Sequence, residues 1–257
     1  MKIIISPAKK MNVDTDTMEV NDFPVFLERT ESLKNWLQSK SFADAKALWG
    51  CNEKIAELNF ERIQAMDLRK NLTPALLSYE GIQYQYMAPK VFNNGQWEYV
   101  QKHLRILSGF YGVLKPLDGV VPYRLEMQAK GAPRGYRDLY DFWNGRLYDF
   151  LISEEQKECR DPFILNLASK EYSRCIETYI KQEKDLNVRM VTCVFGELNN
   201  GKVVQKGTMA KMARGEMVCW LSEYNLTQPE AMKEFHGLNY AYCPERSTEK
   251  EYVYLLR

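Results

Sequence analysis

Between Leu107 and Met127 the chain reads LSGFYGVLKPLDGVVPYRLEM. The three glycines and two prolines make this segment a poor helix and a poor central strand. Yet Leu107, Phe110, Val113, Leu114, Leu117, Val120, Val121 and Leu125 are too apolar for a linker lying on the surface. Both conditions are met by a long, turn-rich loop whose apolar residues are pinned into a core. Such a loop holds its polar residues on a rigid base, the arrangement in which loops commonly carry function. Those residues are Lys115, Asp118, Tyr123, Arg124 and Glu126.

The length of 257 residues fits one large domain, and no stretch reads as a linker, a repeat or a low-complexity tract. With 45% hydrophobic and 27% charged residues the chain can build a sizeable core, which excludes global disorder. The net charge of +1 means that any anion site must arise from local clustering and not from the field of the whole molecule. The six cysteines, Cys51, Cys159, Cys175, Cys193, Cys219 and Cys243, are scattered without a C-x-x-C, so they read as reduced thiols and not as a disulfide framework. The start, MKIIISPAKKM, has an apolar run too short for a signal peptide, and nothing approaches the length of a membrane span. A cytoplasmic chain with no membrane partner is expected.

Along the chain, Ile3–Ile5 predicts a short buried strand stopped by Ser6-Pro7. Helices are predicted over Pro24–Leu37, around Phe42–Leu48, and from an Asn52 cap to about Met66 with Ile55, Leu58 and Ile63 inward. NLTPALLSYEG predicts a helix capped by Thr73. Gly95–Leu107 and Tyr136–Ile152 each read as one amphipathic helix. PFILNLAS reads as a strand running into a loop, followed by a helix over Glu171–Ile180. The run Val188–Gly207 predicts a hairpin about Asn199-Asn200-Gly201. MAKMARGEMVCWLSEYN is helical with Gly215 inside it, PEAMKEF is a short helix, and LNYAYC and EYVYLLR are closing strands. The whole predicts a mixed α/β single domain, 1–257, with a central mixed sheet and surrounding helices.

Four motifs carry chemistry. LWGCNEKIAELN, Leu48–Asn59, has the shape of a helix-hairpin-helix within about 42–66: a tight turn at Gly50, Asn52 in place of the usual second glycine, and Lys54 nearby. Backbone amides there would bind a DNA phosphate without reading sequence. The same residues also describe an ordinary junction, with Gly50 ending one helix and Asn52 capping the next. In PYRLEM, Arg124 and Glu126 alternate with apolar residues, which fits a charged cleft wall or a structural ion pair. NLASKEY brings Asn166, Ser169 and Glu171 to a strand end, where α/β proteins place ligand groups, although Ser169 equally suits a helix cap. In QKGTMAKMARG, Lys206 precedes a helix on which Lys211 and Arg214 share a face; Gly215 admits a close neighbour, and a basic stripe suits a phosphate as well as solvent. His103 and His236 have no partners at metal-ligand spacing, and neither the P-loop nor the dinucleotide fingerprint occurs.

Taken together and in order, ISPAKKM, LWGCNEKIAELNFERI, LRILSGFYGVLKPLDGVVPYRLEM, LYDFWNGRLYDFL, ILNLASKEY and KMARGEMVCWL resemble the YaaA family of bacterial peroxide-stress proteins over essentially the whole chain. The resemblance implies a cytosolic protein without metal or cofactor that lowers free intracellular iron during hydrogen peroxide stress. It also implies an α/β fold with a helix-hairpin-helix and a positively charged cleft that binds duplex and distorted DNA. On that reading Gly50, Asn52, Lys54, Lys206, Lys211 and Arg214 contact DNA, independently of sequence, and the protein is a monomer. The cleft would be walled by Lys9, Lys115, Asp118, Tyr123, Arg124, Glu126, Asn166, Ser169 and Glu171. The resemblance fixes no catalytic residue. In the alternative reading the cleft is an enzyme site for a small anionic or nucleobase-like molecule, with Glu126, Lys9 and Arg124 as the catalytic candidates.

Overall fold

The structure, a computed structural model, describes residues 1–156, 162–183 and 186–257. Its strands are β1 (Lys2–Ile5), β2 (Lys10–Met11), β3 (Thr73–Pro74), β4 (Tyr79–Glu80), β5 (Leu104–Ser108), β6 (Gly112–Leu114), β7 (Gly119–Val120), β8 (Phe163–Leu167), β9 (Arg189–Asn199), β10 (Lys202–Val204), β11 (Tyr240–Tyr242) and β12 (Glu251–Leu256). The α-helices are α1 (Leu27–Gln38), α2 (Phe42–Trp49), α3 (Glu53–Gln64), α4 (Ala75–Ser78), α5 (Ile82–Met87), α6 (Asn94–His103), α7 (Leu139–Trp143), α8 (Arg146–Gln156), α9 (Lys170–Ile180) and α10 (Gly207–Glu223).

Three consecutive isoleucines form β1 because both its faces are buried, as parallel sheets covered on both sides require. β1 has parallel neighbours on either side: Ile5 is in register with Ile106 of β5 and with Leu167 of β8. Beyond β8 lie β9 and then β12, both parallel, while β6 and β11 close the edges antiparallel and β10 folds back on β9. The five parallel strands therefore lie in the order second, first, third, fourth, fifth. The chain leaves β1 on one side and returns on the other, so a crevice is expected outside the carboxyl ends of β1 and β8. The result is a mixed α/β domain around a central mixed sheet of eight strands.

The Leu107–Met127 segment is anchored as its composition demands. Leu107, Phe110, Val113, Leu114, Val120, Val121 and Leu125 are buried. Gly112–Leu114 serves as an edge strand, where glycine is tolerated. Small two-stranded ladders stitch the segment and the N-terminal loop to residues 73–80: β3 pairs β7 and β2 pairs β4.

Several predicted elements differ. The helix expected over Gly95–Leu107 stops at His103, and Leu104–Ser108 is a central strand. A run buried all round shows no period that separates helix from strand. The helix expected over Tyr136–Ile152 is two, broken at Asn144, which takes a positive φ of 49°. Thr73 caps nothing; its hydroxyl accepts from the Asp14 amide at 2.9 Å. On α3 the inward face is Ala56, Asn59 and Ile63, while Ile55 and Leu58 are exposed, because small Ala56 permits the close approach. Cys51, Cys175, Cys193, Cys219 and Cys243 are unpaired; Cys159 lies outside the described residues. No helix among the described residues is long and apolar enough to cross a membrane.

Asp118, on the same segment, is buried, and its Oδ2 accepts from the Lys115 amide at 2.8 Å. Burial outweighs that bond and pushes its carboxyl up from 3.8 to about 7. A raised acid binds its proton more tightly in the folded chain, so this group's contribution to stability falls as pH rises from about 4 to about 7. Asp118→Asn should therefore melt higher than the parent at pH 8, by up to about 4 kcal/mol at about 1.4 kcal/mol per pH unit. The two should converge near pH 4. Thermal melts across that range that stay parallel would contradict this.

Candidate functional site

At the carboxyl ends of β1 and β8 the expected crevice is present, with a volume of about 420 Å³. Two serines clamp its floor: the Ser169 amide donates to Ser6 Oγ at 2.8 Å, and Ser6 Oγ donates to Ser169 Oγ at 3.2 Å. The Ser169 hydroxyl is thus engaged across the sheet, and α9 has no side-chain cap. The Tyr84 hydroxyl ties α5 to the Ser6 carbonyl at 2.9 Å. Tyr123 is locked from behind, its hydroxyl 2.8 Å from that of Tyr79 and 2.6 Å from Ser108 Oγ, and burial pushes it up to about 12.

The charges fall into two groups. Glu126 is held by cations: Lys9 Nζ lies 2.9 Å from its Oε1 and Arg124 Nη2 3.6 Å. Glu171 takes the Gln128 amide at 3.2 Å; burial, with the nearby Glu126 carboxylate, raises its pKa. Arg214 stands apart. It is largely buried, and among the described residues it forms no ion pair or hydrogen bond; burial pulls its pKa down.

Among the described residues, six buried side-chain polar atoms lack a hydrogen-bond partner, and three of them line this crevice: Gln83 Nε2, Arg124 Nε and Arg214 Nε. All three are donors. An unpaired buried polar group costs about 1–3 kcal/mol, and more when charged. The three residues that carry these atoms line one hollow together.

Gln83 and Arg214 meet because α10 and α5 cross at Gly215. A Cβ on Gly215 would lie 2.0 Å from the Gln83 carbonyl oxygen, so the close neighbour this glycine admits is α5 itself. Gly215→Ala should destabilise the protein by about 1–3 kcal/mol or more, the cost of overpacking, read as a lower denaturant midpoint; an unchanged midpoint would count against the crossing.

Of the residues singled out by sequence, the structure brings Lys9, Tyr123, Arg124, Glu126, Ser169, Glu171, Lys211 and Arg214 to this crevice. The others go elsewhere. Asp118 is buried in its turn, and Lys115 reaches Glu154 at 3.7 Å. Asn166 faces a neighbouring hollow and donates to Thr192 Oγ1 at 3.1 Å. Lys206 pairs with Glu197 of β9 at 2.8 Å. Gly50 ends α2 with a φ of 53°, and Asn52, in extended conformation, caps α3 by accepting from the Ile55 amide at 3.0 Å. Lys54 is exposed. Gln83 and Tyr84 were missed; a glutamine and a tyrosine on a six-residue helix carry no sequence signal of a site.

A larger hollow of about 930 Å³ lies at the amino ends of the parallel strands, among His103, Glu155 and Arg189. There Glu155 Oε2 has the Met1 amino group at 2.7 Å while its Oε1 accepts no hydrogen bond among the described residues, and Gln83, Arg124 and Arg214 do not line this hollow. Among the described residues no three His, Cys, Asp or Glu side chains gather to hold a metal ion.

Fold and crevice together define a mixed α/β protein with a charged crevice at the switch point of its sheet. The chain belongs to the peroxide stress protein YaaA family, whose model matches residues 1–246. It is 52% identical over 254 residues to a UPF0246 protein of Agathobacter rectalis, covering 99% of this chain and 98% of that one. A UPF0246 protein of Lachnoclostridium phytofermentans is 52% identical over 255 residues, 99% and 96% of the two chains. One of Desulfitobacterium hafniense is 49% identical over 255 residues, 99% and 98%.

If Arg214 is retained for a ligand, it is a burden on the empty fold. Arg214→Met keeps most of its volume and removes a partly buried, unpaired charge, so its melting temperature should equal or exceed the parent's. A fall equivalent to about 3 kcal/mol, the scale of a broken buried ion pair, would instead make Arg214 structural.

Proposed function

We propose that this protein serves in the peroxide-stress response, in the cytoplasm, by holding a nucleotide-sized anion in the crevice between β1 and β8. Family membership supports the stress role. The observation that supports the ligand class is that Gln83, Arg124 and Arg214, each with a buried donor atom that lacks a partner, line one hollow of about 420 Å³. Ligand pockets run from about 300 to 1,000 Å³. The Gln83 amide suits the edge of a heterocycle and the guanidinium groups suit phosphate oxygens. Glu126, with Lys9 and Arg124 against it, is the candidate for accepting a ring N–H or moving a proton. Calorimetric titration with thymidine 5′-monophosphate at low salt should show saturable binding that Arg214→Met abolishes. Absence of binding by the parent chain would sink this reading.

A second reading, binding of duplex or distorted DNA, is favoured by the α2–α3 junction. Gly50 has open space where a Cβ would lie, and α3 begins with Lys54 exposed beside it. Amides at such a helix start suit a phosphate. Glu53 in the same turn, paired with Lys46, works against it. Lys54→Glu should weaken duplex binding and reduce the log–log salt slope by about 0.9 for a lost phosphate contact; an unchanged slope and affinity would remove the junction from the interface. The lowering of free iron is proposed to follow indirectly from binding at the crevice. Iron that stays with the purified protein through desalting would contradict that order.

A further inference from the structure

We propose that Glu171 is a specificity-determining residue of the crevice: it takes up one proton as the anion binds, and its neutral carboxyl group then meets the ligand as a hydrogen-bond donor. This rests on the nucleotide-sized anion proposed above. Glu126 and Glu171 both line the crevice and lie within each other's field, but their surroundings differ. Glu126 has its charge matched, with Lys9 Nζ at 2.9 Å and Arg124 Nη2 at 3.6 Å. Glu171, half-buried in the first turn of α9, has no ion pair among the described residues; its Oε1 takes the Gln128 amide at 3.2 Å.

Opposing influences act on Glu171 while the crevice is empty. Burial and the Glu126 carboxylate raise its pKa above 4.5. The Gln128 and Met127 amides and the Lys9 ammonium pull the other way, as does the positive end of the α9 dipole. The titratable groups beside it, Tyr140, Tyr172 and Cys175, are themselves raised by burial and stay neutral. Lys211 and Arg214 line the same crevice from α10. An entering anion changes the sum. It competes with the carboxylates for the same cations, and it adds negative charge beside a group that has no cation of its own. At the effective dielectric of such a site, a unit charge about 4 Å away lifts a carboxyl by about three pH units. From a starting point already above 4.5, that is enough to protonate Glu171 near pH 7. A protonated carboxyl has an O–H to donate, so a repelling acceptor becomes a donor.

Calorimetric titration of the full chain with thymidine 5′-monophosphate at low salt, in two buffers of different ionisation enthalpy, counts the protons. At pH 7 most of the free phosphate is already dianionic, its second pKa being about 6, and binding should take up about one proton. Glu171→Gln keeps an oxygen to accept from Gln128 and presents an N–H in place of the acid's O–H. It should take up no proton, bind about tenfold tighter than the parent at pH 8, and match it near pH 5. The parent's affinity should fall more steeply with pH than the variant's, by up to about tenfold per pH unit. The titration of the phosphate is common to both and cancels in that comparison. Glu171→Asp, which keeps the acid, should keep the proton uptake. If the ligand binds without proton uptake, or if parent and Glu171→Gln give parallel pH curves, Glu171 does not play this part while the crevice reading stands. If Glu171→Gln binds more weakly at every pH, the ligand requires the charged carboxylate and the inference fails. Absence of binding by the parent overturns the nucleotide reading and this inference with it.

Discussion

The contact on which the site depends is the crossing of α10 over α5 at Gly215. Glycine in the middle of a 17-residue helix lowers its propensity by about 1 kcal/mol relative to alanine. What the chain gains is a backbone-to-backbone approach that no other residue permits, with the Gln83 carbonyl where a Cβ would sit. α5 has only six residues and cannot hold itself as a helix in water, so α10 holds it. The crossing brings Arg214, the residue before the glycine, to the same wall as Gln83. The Tyr84 hydroxyl then ties that wall to Ser6 at the end of β1. A packing constraint in one helix thereby sets the position of donors from two elements, α5 and α10.

Comparison of three arginines, one buried and two partly buried, shows why Arg214 is read as part of a site. Arg105, which is buried, has a complete partner: Glu154 takes its Nε at 2.7 Å and its Nη2 at 2.9 Å in a two-pronged fork. Arg29 has an unpartnered Nε, yet its Nη2 donates to the Phe142 carbonyl at 2.6 Å and its guanidinium lies 4.3 Å from the Phe142 ring centre. Both are structural solutions to burying a cation, by ion pairing and by aromatic contact. Arg214 has neither. Since the molecule's net charge is only +1, an anion reaching this crevice is drawn by these local donors and not by a general positive field.

Much of the fold was legible because its signals are local. Ile3–Ile5 could only be a buried strand; Asn200 and Gly201 both take positive φ at the hairpin turn; Gly50 and Asn52 end one helix and cap the next. The failures came where a signal was global. Leu104–Ser108 is a strand because β1 lies beside it, and nothing within the run says so. Asn144 breaks the long helix because α7 and α8 pack separately, an override of a good amphipathic pattern by tertiary structure. On α3, apolar periodicity pointed to Ile55 and Leu58, whereas burial selected the small Ala56. Large apolar residues mark a face that is able to bury, and a small one marks a face that must approach closely.

The site was legible on its rims and not on its floor. Alternation exposed Arg124 and Glu126, and helical spacing exposed Lys211 and Arg214, since charges at regular intervals are visible in a sequence. Convergence of residues far apart in the chain is not. The end of β8 illustrates the physics. Successive residues of a strand point to opposite faces, so Asn166 and Ala168 fall on one side of the sheet's edge and Ser169, after the chain turns into α9, on the other. The sequence NLAS reads as a single cluster, but in space it supplies a wall to each of two hollows. At a switch point this is a necessary consequence, because the strand crossovers leave in opposite directions and the tip of β8 stands between them. Arg214, reaching that tip from α10, is the one described arginine or lysine side chain that lines the hollows on both sides without a partner of its own.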